Sequence, residues 1–480
     1  MTANGRLVMI ALDAVDRSFL DAHLAALPNI ARLLAAGVGG DLAAEPMSGS
    51  VWNSFFSRSR PADHGVFDQL QWDPATMRVR RSDSDLVPVR PFWRDLGERG
   101  VPVITLDVPT LFPGPAPDNV LEVANWGSHD IVGPFWASDP RIARKIRATF
   151  GRHPMGEDIP VPKTEAELRR LRTTLVRGVA LRARLATWLM RERPWRMFLV
   201  SFGEIHRAGH AFGGRWWEAG EAQGEADLLA VYQAVDAAIG AVTSEAGEGA
   251  DVVLFSLHGM GPNISQCHLM SIFLQRAAAR FRGEAAPADR GEAPGLIRAL
   301  RRSVPARLQL AIARALPMRI RDVIVGREIA GGYRWAETVG FCLHGDVSGF
   351  IRLNIRGREA EGALSPEEAD RFRAFVQDEL RALTLADGRK VVRRVTFPTR
   401  DWPGDRAGFL PDVLVEWEAD LEPAAALHSP TLGVIEAHME SGRGGNHRFD
   451  AFYCLSGPRQ GAPVRPQHVS ELGDVVEALA

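Results

Sequence analysis

The sequence predicts an α/β protein with a mainly parallel central sheet, helices on both faces and a smaller inserted helical region. Three observations carry this. Continuously apolar runs of strand length recur, as strands buried on both faces require. Segments with a helical period stand between them, several closed by glycine. Acidic or imidazole side chains follow the apolar runs closely, where open parallel sheets bind ligands.

In order, "RLVMIAL" (6–12) is a buried strand that stops at Asp13, and "LPNIARLLAAG" is a helix closed by Gly37. "PFWRDLGERG" is a helix ending at Gly100, and "VPVITLDVPT" is the next strand. "ELRRLRTTLVRGVALRARLATWLMRER" is a long, arginine-rich amphipathic helix. "WRMFLVSF" and "ADVVLFSL" are further buried strands. "RGEAAPADRGEAPG" (282–295) reads as a loop. The basic helical stretch after it holds Arg298, Arg301, Arg302, Arg307, Arg314, Arg319 and Arg321. It is either a border of the site that favours anionic substrates or a solvated helix pair. Strand signals return at "GFIRLNIRGREAEG", and "FRAFVQDELRAL" is a helix. The expected division is a core over 1–280, an arginine-rich helical insertion over 281–335, and the remainder of the core over 336–480.

The chain has 480 residues and is 46% hydrophobic, enough for a large core. Lys+Arg 57 against Asp+Glu 59 leaves a net charge of −2, so nothing global favours nucleic acid or a membrane surface. Three scattered cysteines without C-x-x-C spacing argue against a disulfide framework. The N-terminus lacks a secretory pattern, and no stretch is expected to approach the roughly 20 apolar residues of a membrane span. The expectation is a cytoplasmic protein acting on a small anionic molecule; its oligomeric state is not legible.

The chemistry concentrates in "MFLVSFGEIHRAGHAF", Met197–Phe212. His206 and His210 are spaced so that one helical turn puts both rings on one side. His258 closely follows "DVVLFS", His447 lies in the glycine-rich "SGRGGNHRFDAF", and Asp13 follows the first strand. Imidazole and carboxylate on rigid elements are what zinc-like ions require. A lone histidine is ordinarily structural; five such groups at strand ends are not easily explained that way.

Taken together the segments resemble the alkaline-phosphatase superfamily, in its type I phosphodiesterase/nucleotide pyrophosphatase branch. "IALDAVDRSFLDAHLAALPNIARLLAAGVGG" is similar to the family's opening. "PMSGSVWNSFFSRSRPADHGVF" is similar to its nucleophile segment, T-x-P-x-W-x-S-x-x-T-G-x-x-P-x-x-H-G. "PFWRDLGERG", "LDVPTLFP", "SLHGMG", "IRLNIRGREAEG" and "GGNHR" match further segments. The resemblance implies an alkaline-phosphatase-like fold and a hydrolase of phosphate esters or phosphodiesters. Its nucleophile position falls on Ser48, with Ser50 where the family has proline. His64 reads as a turn-holding residue, and Gln69 matches an amide that contacts the phosphoryl group.

The implied metal sites are altered. One family site, normally Asp, His and His, falls on His206, His210 and His447. The other falls on Asp13, Ser48, Leu257 and His258, and Leu257 cannot bind metal. Two ions about 4 Å apart need carboxylates to offset their repulsion. The resemblance therefore implies one tight zinc and a second ion weak or absent. Glu204 is a base, a partner of a ligand, a ligand itself, or an ordinary loop glutamate. Trp216 and Trp217 form either a stacking wall for substrate or ordinary packing. Three functions remain: hydrolysis with Ser48 or a zinc-carried water as nucleophile; the same fold acting on another bond, such as a sulfate ester, or transferring a group; and a non-catalytic metal-binding relative. No cysteine lies near Ser48, which disfavours formylglycine chemistry.

Overall fold

A computed structural model describes residues 5–82, 86, 89–128, 133–155, 164–219, 222–285, 320, 333–437, 444–461 and 464–479. The chain folds as two compact units, one comprising Met1–Arg60, Asp83–Pro262 and Gly442–Ala480, the other Pro61–Ser82 and Asn263–Ser441.

The first unit is built on an eight-stranded sheet. Its strands are β1 (Leu7–Leu12), β2 (Val38–Leu42), β5 (Val103–Leu106), β6 (Val120–Ala124), β7 (Trp136–Ala137), β8 (Met197–Phe202), β9 (Asp251–Ser256) and β18 (Ala451–Ser456). The order is β2-β18-β9-β1-β8-β5-β6-β7. The inner pairs β9-β1, β1-β8, β8-β5 and β5-β6 are parallel; β18 and β7 run antiparallel to their neighbours.

Side chains alternate between two apolar clusters, one on each face. Val8, Ile10, Leu12, Phe198, Val200 and Leu254 enter one cluster; Leu7, Met9, Ala11, Leu199, Val253 and Leu257 enter the other. The period of two in β-structure turns a continuous apolar run into two buried faces. The helices Glu165–Glu192 and Ala222–Ala246 cover the first face, and Val51–Ser57 and Leu472–Leu479 the second.

Among the described residues one helix, Ala222–Ala246, has the length and apolar composition of a membrane span, which the sequence reading missed. Its Leu228, Val231, Val235, Ile239 and Val242 lie in the core cluster, so these five are accounted for by packing.

The second unit holds a four-stranded antiparallel sheet, β11-β12-β14-β13, from Gly340–Leu343, Gly349–Leu353, Val413–Trp417 and Val392–Thr396. Two hairpins belong to it, β3 (Leu70–Asp73) with β4 (Arg78–Arg81), and β15 (Ala426–Ser429) with β16 (Gly433–Glu436). The helix Pro366–Ala382 opens with a capping box: Ser365 and Glu368 each accept the other's backbone N–H. The compact units differ from the expected division, because the strands between Gly340 and Trp417 build this separate sheet and the strand Ala451–Ser456 pairs into the main one. Most of the expected insertion, 281–335, lies outside the described residues.

Candidate metal centre

The carboxyl ends of three adjacent parallel strands supply the site. Asp13 leaves β1, the helix Glu204–Ala219 starts one residue after β8, and His258 follows β9. β10 (Gly259–Pro262) then pairs antiparallel with β17 (Gly445–Arg448), with Met260 opposite His447. Strand order thus gathers residues more than 400 positions apart in sequence.

His206, His210 and His447 converge through Nε2. The His206 Nε2 atom is 3.0 Å from His210 Nε2 and 2.7 Å from His447 Nε2. Neighbouring acceptors decide which ring nitrogens carry hydrogen. His206 Nδ1 faces Asp13 Oδ2 at 2.9 Å, and His210 Nδ1 faces the Gly445 carbonyl at 2.8 Å. A carboxylate and a carbonyl only accept, so each Nδ1 donates and each neutral ring turns an Nε2 lone pair inward. Two lone pairs 3.0 Å apart repel unless a cation or a proton lies between them. The donor set therefore fits a borderline ion such as zinc, with the other ring nitrogens of His206 and His210 held by outer partners.

A second group consists of Asp13, His206 and His258. His258 Nε2 is 3.9 Å from Asp13 Oδ1, and the buried His258 Nδ1 has no hydrogen-bond partner among the described residues. Trp52 Nε1 donates to Asp13 Oδ1 at 3.0 Å. Burial pushes the Asp13 carboxyl up, against the pull of His258 and the Trp52 hydrogen bond. Burial also pushes the His258 imidazole down, against the pull of Asp13. The two groups share His206, and one neutral imidazole has only one lone pair to give. Here that lone pair points at the three-histidine group, and Asp13 serves as acceptor for the opposite nitrogen.

Ser48 opens a 3₁₀ turn, Ser48–Ser50, that runs directly into the Val51–Ser57 helix, one turn before Trp52. It is half-buried, and its hydroxyl makes no hydrogen bond to a described residue. Ser50 is buried and its hydroxyl is committed to the Met47 carbonyl at 2.8 Å. Of the two candidate serines, Ser48 is the one with an available oxygen. His64 accepts from Val66 N at 3.0 Å, beside Gly65 at φ +75°, and so holds its turn. Gln69 lies in the second unit, half-buried, with its amide oxygen 3.5 Å from Arg81 Nη1.

Two readings left open by the sequence gain defined partners. Glu204 is neither on a loop nor among the gathered metal-binding groups. It begins the histidine helix, fully buried, with both oxygens on Arg182 Nε at 3.0 and 3.2 Å. Burial would raise its pKa, but Arg182 and His153 outweigh burial and hold it below the usual range. A carboxylate stabilised in that way is a poor base. Trp216 spends its ring edge-on against Phe19, with centroids 5.0 Å apart, and Trp217 donates to Asp16 Oδ2 at 3.0 Å. Both make packing contacts and both stay half-buried.

Sequence reasoning missed Trp52, Arg182, Asp107 and the Gly445 carbonyl. Asp107 carried the same signal as Asp13, a carboxylate directly after an apolar strand. The carbonyl carries none.

The family model of the type I phosphodiesterase / nucleotide pyrophosphatases matches residues 7–445. No curated protein is matched by the sequence. Among solved structures, phosphonoacetate hydrolase from Sinorhizobium meliloti in complex with phosphonoacetate aligns at TM-score 0.53 and 12% identity, over 99% of this chain and 96% of that one. Murine ectonucleotide pyrophosphatase / phosphodiesterase 5 in complex with AMP aligns at TM-score 0.51 and 9% identity, over 99% and 95%. At these identities the likeness is one of fold.

Proposed function

The chain belongs to the type I phosphodiesterase / nucleotide pyrophosphatase family, and on that premise we propose that it is a metal-dependent hydrolase of small phosphate esters or phosphodiesters. The observation that carries the reading is the convergence of three Nε2 atoms, with the Nδ1 atoms of His206 and His210 tied to Asp13 and the Gly445 carbonyl. His206, His210 and His447 would hold one zinc ion, which supplies Lewis acidity at a phosphoryl oxygen and toward an attacking hydroxyl. Ser48 presents that hydroxyl, at the amino end of a helical run where backbone N–H groups favour an anion. Asp13 orients His206 and keeps its Nδ1 protonated, a role it performs only while ionised. The two aligned structures hold phosphonoacetate and AMP, both small phosphorus-bearing anions, which supports the same class of substrate here.

The test combines metal content with a substrate panel. Protein purified without added metal should carry about one zinc per chain, and His447→Ala should lose most of it. The unaltered protein should cleave an aryl phosphodiester or monoester in preference to an aryl sulfate. Unchanged zinc content in His447→Ala rejects the metal assignment. Preference for the sulfate moves the reading to the other bond, and no turnover of any ester leaves a non-catalytic relative.

A further inference from the structure

A buried ion-pair hub stands behind the histidine helix. Arg182 comes from the Glu165–Glu192 helix and is fully buried. Besides Glu204, it donates through Nη1 to Asp107 Oδ2 and through Nη2 to the Gly127 carbonyl at 2.7 Å. Asp107 directly follows β5 in a left-handed conformation, φ 54°, and accepts from Trp126 N at 2.8 Å and Gly127 N at 2.9 Å. One guanidinium thus ties the ends of β5 and β6, a helix on the sheet's face, and the first residue of the histidine helix. The chain leaves room for this. A Cβ on Gly178 would come 2.7 Å from His153 Cε1, and one on Gly127 would come 2.7 Å from Arg182 Nη2. His153 Nε2 lies 3.1 Å from Glu204 Oε1.

Arg182 does not touch the gathered Nε2 atoms; its contact with the helix that carries His206 and His210 is through Glu204. That path is short. Glu204 is two residues before His206 and six before His210, on one rigid helix. A helix start that slips by one residue turns the side chains by about 100°. Such a slip would carry His206 Nδ1 away from Asp13 and His210 Nδ1 away from the Gly445 carbonyl. We infer that Arg182 and Glu204 are positioning residues, fixing the start and rotation of the helix that carries His206 and His210 and so setting how tightly the site holds a divalent ion. The inference rests on the metal reading above.

The same unit contains a natural control. Arg94 donates through Nε and Nη2 to Glu122 at 2.9 and 2.8 Å, also buried, but joins the Phe92–Glu98 helix to β6 and carries no metal-binding group. Arg182→Lys, Glu204→Gln and Arg94→Lys should therefore be compared in the full chain, on samples with native far-UV circular dichroism. Zinc affinity, read by chelator competition, should weaken roughly 10- to 100-fold in the first two and stay unchanged in Arg94→Lys. In metal-free protein the His206 and His210 ring signals in NMR spectra should move in Glu204→Gln and stay in place in Arg94→Lys. If Arg182→Lys fails to fold, the isosteric Glu204→Gln carries the test. Unchanged affinity and ring signals in Glu204→Gln overturn the inference, as does an equal loss in Arg94→Lys. Unaltered protein that binds no zinc rejects the metal reading, and the ring signals then decide positioning alone.

Discussion

His206 uses both ring nitrogens, and the rest of the site follows from it. With Nδ1 on Asp13, its Nε2 can serve only one ion, which favours a single tight metal over two. Ser48 and Ser50 separate on the same kind of reasoning. On the proposed route, with Ser48 as nucleophile, Ser48→Ala should lose on the order of 100-fold or more in turnover. Ser50→Ala should keep its activity and lose about 0.5–1.5 kcal/mol of stability, because it removes one buried hydrogen bond while the Met47 carbonyl keeps the Ser50 backbone N–H. Steady-state kinetics beside urea melts would check both, and the reverse pattern would move the nucleophile to Ser50. Leu257 is buried in the apolar cluster with Val51, Trp52 and Phe55. Leu257→Asp leaves a buried carboxylate unpaired, at a cost of about 3–5 kcal/mol by analogy with broken buried ion pairs. Thermal melts should show that loss without metal and a partial recovery in excess zinc, as an ion held with His258 offsets it. A melt that zinc does not move would mean that the introduced carboxylate faces only the core.

At the scale of elements, the histidine helix and β17 meet through glycine. A Cβ on Gly214 would come 2.3 Å from Gly444 Cα, and one on Gly445 would come 2.3 Å from the Gly209 carbonyl. Only main chain without side chains approaches that closely, and the approach is what brings the Gly445 carbonyl to His210. Gly214→Ala sets two effects against each other. Helix propensity gains at most about 1 kcal/mol, whereas overpacking against backbone costs about 1–3 kcal/mol. The contact should win. The variant should melt lower and bind zinc more weakly, because β17 must retreat with His447. A rise in melting temperature with zinc affinity unchanged would show that the two elements separate without cost.

For the molecule as a whole, acid should act on the second unit through a buried charge network. Asp412 takes Arg358 Nη1 and Nη2 at 2.7 Å each and Leu353 N at 2.7 Å. Burial would raise its pKa, but Arg358 and Arg352 outweigh burial and hold it down at about 2. A depressed carboxylate contributes stability above its unfolded value of 3.8 and loses it as pH falls toward about 2. The contribution is on the order of 2 kcal/mol. Urea melts of the unaltered protein and Asp412→Asn from pH 7 down to about pH 2 should show a gap that is constant above about pH 5 and closes in acid. A gap that stays constant through acid would mean that Asp412 is not depressed.

The sequence by itself determined the strands β1, β5, β8 and β9, because burial on both faces demands unbroken apolar runs that composition displays. It determined the helices at Pro28–Ala36, Phe92–Glu98 and Glu165–Glu192 through their periods and ends. It also marked Asp13, His206, His210, His258 and His447, since chemistry-bearing residues after apolar strands stand out locally. The tertiary structure alone decided what those residues do. Glu204 reads as an available base until Arg182, 22 positions away, is folded onto it. Trp216 and Trp217 read equally as a wall or as packing, and only the fold shows that Phe19 and Asp16 are their neighbours. The pairing of β17 with β10 and of β18 with β9, which brings His447 to His206, depends on contacts between segments distant in sequence. Local patterns record the solvent that each residue must avoid. Which partner satisfies a buried charge or ring nitrogen depends on strand order and helix rotation, and those are settled only when the whole unit packs.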